Sequence, residues 1–73
     1  MMAQVTLAFA RVLGHEVLMR EDTPVNAFGP WQDIAVLVAA ALKESTGIAL
    51  SDAQLHSAQV AGDLVTGLEA NSL

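Results

Sequence analysis

The chain has 73 residues and a mass of 7.6 kDa, near the size at which a single hydrophobic core just suffices. Hydrophobic residues make up 53% and charged residues 15%, with mean hydropathy +0.48, which excludes the weakly hydrophobic, highly charged composition of disordered chains. Three Lys+Arg against eight Asp+Glu give a net charge of −5, which argues against nucleic-acid binding, and the lack of cysteine excludes disulfides, thiolate metal sites and cysteine nucleophiles.

The pattern predicts helices throughout. Aromatic residues are two Phe and one Trp, while Ala, Leu and Val carry the apolar content, a poor composition for a sandwich of period-two strands. The first helix is expected over Gln4 to Leu13, with Val5, Phe9, Val12 and Leu13 on one side and Gly14 as its C-cap. From His15 to Pro30 the periodicity dissolves into a long loop. Arg20, Glu21 and Asp22 form a charged patch there, Thr23-Pro24 and Gly29-Pro30 punctuate the chain, and Val25 and Phe28 are the expected apolar anchors.

Trp31 to Thr46 has no internal Gly or Pro and stops at Gly47, which predicts a second long helix. Ile48 and Leu50 belong to a short extended link. Ser51-Asp52-Ala53-Gln54 fits a capping box that opens a short third helix through about Ser57. A fourth helix, from Val60 to about Leu68, presents Val60, Leu64, Val65 and Leu68, although Gly62 and Gly67 each weaken it by about 1 kcal/mol relative to Ala. The expected fold is therefore all-α, a four-helix bundle of long, long, short and medium helices in one domain, residues 1–73, with a long loop between helices I and II. The longest apolar run, Ile34 to Leu42, is roughly half the ~20 residues of a membrane span, so none is expected. The N-terminus lacks a charged region followed by an apolar stretch, so a cytoplasmic location is expected.

The order of several short motifs resembles the acyl carrier protein family. In that family helix I ends in Leu-Gly and a long loop leads to Leu-Gly-x-Asp-Ser-Leu at the start of helix II. A Gly-Ile-x-Leu link follows helix II, and Thr-Val-x-x-Leu opens the last helix. Leu13-Gly14, Phe28-Gly29-Pro30-Trp31-Gln32-Asp33, Gly47-Ile48-Ala49-Leu50 and Val60-Ala61-Gly62-Asp63-Leu64 occupy those places in order. The resemblance implies an acyl-carrier-protein-like four-helix bundle and a setting in fatty-acid, polyketide or nonribosomal-peptide biosynthesis.

It also exposes a departure. Family members carry a phosphopantetheine arm on the serine hydroxyl of Asp-Ser-Leu, and here Gln32 occupies that serine position, between Trp31 and Asp33. A glutamine amide has no hydroxyl to esterify. Ser45, Ser51, Ser57 and Ser72 lie outside any Gly-x-Asp context, so no phosphopantetheine or other cofactor is expected.

Family members usually display acidic residues along the exposed side of helix II; the comparable positions here are Ile34 and Leu37. With Trp31 they are spaced i, i+3, i+6, and the stripe continues to Ala41. If Val36, Val38, Ala39 and Leu42 face inward as the family's positions imply, then Trp31, Ile34, Leu37 and Ala41 face solvent and form a partner-binding surface. The competing reading rotates the helix and places this stripe in the core. His15 and His56 are isolated, with too few neighbouring ligands for a metal site. Asp52, His56 and a nearby serine on a short helix lack the scaffold and oxyanion donors of a catalytic triad, so no catalytic residue and no enzyme activity are expected.

The sequence thus reads as a non-catalytic binding or scaffolding module that meets a pathway protein, or a second copy as a homodimer, through helix II. Two alternatives stay open: an acyl carrier modified at an unorthodox site, and a module that holds an acyl chain non-covalently.

Overall fold

The structure, a computed structural model, describes residues 1–72. Among them it contains four α-helices: α1 over Met2–Leu13, α2 over Trp31–Thr46, α3 over Asp52–Ser57 and α4 over Ala61–Asn71. The all-α expectation holds, and α2 and α3 fall where the sequence places them. α1 begins two residues earlier than expected, because Gln4 and Val5 both donate backbone N–H groups to Met1 O. α4 begins at Ala61 with Val60 as its cap and runs on to Asn71.

Each long helix ends where its backbone needs a left-handed residue. Gly14 and Gly47 have φ of 79° and 75°, and their N–H groups close onto Ala10 O and Lys43 O. α3 opens on the expected capping box: Gln54 N donates to Ser51 Oγ at 3.1 Å, and Ser51 N donates to Gln54 Oε1 at 2.8 Å.

The start of α4 is satisfied in another way. Ala61 N donates to Thr23 O and Gly62 N to Glu21 O, both at 2.8 Å, while Val25 N donates to Gln59 O at 3.0 Å. The loop segment 21–25 thus lies antiparallel against 59–62, with a single bridge between Pro24 and Val60, and its carbonyls take up first-turn amides that have no partner within the helix. Asp63 reaches back from the first turn and accepts N–H groups from Gln59 and Val60. Those two hydrogen bonds, Gln59 first, hold its carboxyl below the ordinary value of 3.8.

This docking explains Gly62. A Cβ there would lie 3.0 Å from Glu21 O, a backbone atom that cannot swing aside. Gly67 faces the Leu50 side chain, whose Cδ2 would lie 2.8 Å from an added Cβ. Both glycines cost helix propensity and allow close approach of another segment.

The core gathers Val5, Ala8 and Phe9 of α1, Val38, Ala41 and Leu42 of α2, Leu55 and Ala58, and Ala61, Leu64 and Leu68 of α4, with Val25 of the loop closing it. Val25 is therefore the buried anchor expected of the loop. Phe28 is half-buried, its ring 6.2 Å from that of Phe9. On the far side, Asn71 Nδ2 donates to Ala49 O at 2.8 Å and to Gln54 Oε1 at 2.7 Å, tying the end of α4 to the link before α3. No helix among the described residues is long and apolar enough to cross a membrane.

The candidate cleft at the start of α2

The rotation of α2 decides which of its apolar residues remain available. At 3.6 residues per turn, Trp31, Ala35, Val38 and Leu42 fall on one side, with Ile34 and Ala41 beside them. That side faces the core: Ala35, Val38, Ala41 and Leu42 are buried, and Trp31 and Ile34 pack against them half-buried.

The expected solvent-facing stripe of Trp31, Ile34, Leu37 and Ala41 is corrected accordingly. Only Leu37, at 56% exposure, faces solvent, and Val36, expected inside, is 70% exposed. The physical reason lies in Trp31. Its indole stacks on Phe9 with centroids 5.8 Å apart and planes 14° from parallel, and its Nε1–H donates to Leu55 O at 2.7 Å. In a chain with three aromatic residues, packing Trp31 on Phe9 with its N–H satisfied by Leu55 O fixes the helix register. The exposed apolar residues of α2 are consequently Val36, Leu37 and Ala40.

Trp31 also forms one wall of a cleft of about 420 Å³. Loop residues Asn26 and Pro30, Gln32, Ala35 and Val36 of α2, and Asp52, Leu55 and His56 of α3 complete it. Trp31, Ala35, Val36 and Leu55 give it apolar surface, while Asn26, Gln32, Asp52 and His56 supply polar groups. An apolar recess with a few polar side chains is the usual form of a small-ligand site, and the volume lies within the roughly 300–1,000 Å³ such sites occupy. The Trp31–Leu55 hydrogen bond ties α2 to α3 here, so the two main walls are held together by the fold itself.

Gln32 is exposed in the first turn of α2 and lines this cleft. The serines are placed elsewhere. Ser45, Ser57 and Ser72 donate their hydroxyls to the carbonyls of Leu42, Gln54 and Glu69, and Ser51 caps α3. His15 is exposed beside the Glu16 carbonyl, far along the chain from the cleft residues. His56, read from the sequence as an isolated surface residue, is exposed but shares the cleft with Asp52, four residues earlier on the same helix. Among the described residues no group of three His, Cys, Asp or Glu side chains is arranged to hold a metal.

A second, shallower groove of about 340 Å³ runs between α1 and α2, lined by Arg11, Val12, Leu37, Ala40, Ala41 and Glu44. The Arg11–Glu44 ion pair spans it at 3.2 Å, and both side chains are solvated. Such a pair contributes at most about 1 kcal/mol.

Sequence reasoning singled out Gln32 and Trp31 but missed Asn26, Pro30, Ala35, Val36 and Leu55 as cleft residues. Their only sequence signal is the Gly29-Pro30 turn, which brings the loop against the start of α2. No family model, curated protein or solved structure matches the chain.

Proposed function

We propose that this chain is a non-catalytic binding module with an acyl-carrier-protein-like helix arrangement and no prosthetic arm. Gln32 at the mouth of the cleft is the observation that carries the reading. The position that resembles the family's attachment serine borders a recess, and its side chain cannot accept a phosphodiester. On this reading the ligand enters the cleft directly instead of arriving on a covalent tether. The exposed Val36, Leu37 and Ala40 beside it form the helix II surface toward a protein partner of fatty-acid, polyketide or nonribosomal-peptide biosynthesis.

The lining of the cleft suits a binding role: among the described residues, the polar side chains of Asn26, Gln32, Asp52 and His56 border the apolar surface of Trp31, Ala35, Val36 and Leu55. Its apolar walls are continuous with the core through Ala35 and Leu55, which makes it a stable recess.

Chemical-shift mapping of the isotopically labelled chain with hexan-1-ol tests the reading. Shifts concentrated on the Trp31 indole N–H and the amides of Gln32, Ala35, Val36 and Leu55 support it. Shifts scattered over the surface, or none at millimolar probe, overturn it.

A further inference from the structure

Opposite its buried side, α2 presents a second, partly apolar face. Asp33, Val36, Leu37, Ala40, Lys43 and Glu44 fall within about 120° of arc at 3.6 residues per turn, and all six are exposed. Val36 and Leu37, 70% and 56% exposed, form its centre with Ala40. The shallow groove between α1 and α2 runs along one edge, where Arg11 joins Leu37, Ala40 and Glu44. Contiguous exposed apolar side chains rimmed by charge mark a protein-binding surface.

The charges on this face are sorted along the helix. Asp33 stands in the first turn and Lys43 in the last, and Glu44 is neutralised by Arg11 at 3.2 Å. One end therefore carries a negative charge and the other a net positive charge, about 15 Å apart at 1.5 Å per residue. Such a face complements itself when a second copy is turned end over end. An antiparallel copy centred at the level of Val38 brings Asp33 opposite Lys43 and, in the same register, Val36 opposite Ala40. A parallel copy opposes like charges.

The rest of the molecule favours the same contact. Two cations and two carboxylates leave this face neutral, while Arg20 against the other six carboxylates puts the net −5 on the remaining surface. Copies of the chain repel one another over that surface but not here. We infer that this face docks a second copy of the chain, α2 against α2 in antiparallel orientation about a twofold axis, with Val36, Leu37 and Ala40 at the centre and Asp33 facing Lys43 at each end. This rests on the proposed protein-binding role of the α2 surface and names its occupant. The exposed charges set orientation more than strength, and three apolar side chains per copy make the dimer weak and reversible.

Sedimentation equilibrium of the full chain at concentrations up to about 1 mM tests it. A reversible monomer–dimer equilibrium is expected, weakened at least about tenfold by Leu37→Asp. Asp33→Lys and Lys43→Asp each put like charges at both ends, and each is expected to weaken self-association at least about threefold at low salt. Mixed in equal amounts, these two variants are expected to form a heterodimer tighter than either homodimer, and combining both substitutions in one chain is expected to restore association. A chain that stays monomeric at about 1 mM overturns the inference and leaves the α2 surface to a different protein. A dimer indifferent to Leu37→Asp, or charge variants that fail to complement each other, also overturns it. Far-ultraviolet circular dichroism of each variant distinguishes a lost contact from an unfolded α2. The hexan-1-ol shifts at the cleft are read separately, so failure of that reading is told apart from failure of this one.

Discussion

Trp31 is where the rotation of α2 can be tested most sharply. Were it an exposed interface residue, replacing it would leave stability almost untouched. In the structure it stacks on Phe9 and donates to Leu55 O, so substitution must cost folding energy. Trp31→Phe keeps most of the stacking but loses the indole hydrogen bond, about 1 kcal/mol, and some buried area, for a total of about 1.5 kcal/mol. Trp31→Ala falls at the low end of the roughly 3–5 kcal/mol range for large aromatic truncations, because the side chain is only half-buried. A domain of 73 residues has a total stability of only about 4–11 kcal/mol, so about 3 kcal/mol is a large share. Urea unfolding followed by circular dichroism reads it directly. With a slope near 1 kcal/mol per M for a small domain, the midpoint should fall by about 1.5 M in Trp31→Phe and about 3 M in Trp31→Ala. A midpoint for Trp31→Ala within about 0.5 M of wild type would refute the packing described here.

The neighbouring valines make a second test of the same register: Val38→Ala should cost about 1.6 kcal/mol, two buried methylene equivalents, whereas Val36→Ala, at 70% exposure, should lie within 0.5 kcal/mol of wild type, both read from urea midpoints. Gly62→Ala should lower the melting temperature by several degrees despite its better helix propensity, because the new Cβ meets Glu21 O at 3.0 Å; a higher melting temperature would contradict the loop docking. Asp63 has its carboxyl held below 3.8 by the Gln59 and Val60 N–H groups. Its contribution is therefore full well above the ordinary value of 3.8 and is lost as pH falls through the lowered folded-state value, so Asp63→Asn should flatten the acid limb of thermal stability relative to wild type.

Much of the architecture is legible along the chain because its punctuation is local. Gly14 and Gly47 stop two helices at left-handed residues, and Ser51 with Gln54 starts a third, each within a few residues. The face of α2 is not local. Ile34 to Leu42 is apolar on every side, so periodicity alone fits several rotations, and the choice is made by Trp31 meeting Phe9 and the Leu55 carbonyl across the bundle. The role of Gly62 was hidden for the same reason: helix propensity counts it only as a weakness, and its partner, the Glu21 carbonyl, lies on a loop some forty residues away. The cleft follows this pattern. Gln32 stands out in the sequence, but the residues that make a recess beside it come from the loop, α2 and α3, which only folding brings together.

The absence of a covalent arm is the central claim, because it separates a module that binds its ligand directly from a working carrier. Intact mass spectrometry after incubation with a phosphopantetheinyl transferase and coenzyme A tests it most directly. The account predicts the mass of the unmodified chain. A species heavier by one phosphopantetheine group would contradict it and move the attachment to one of the serines.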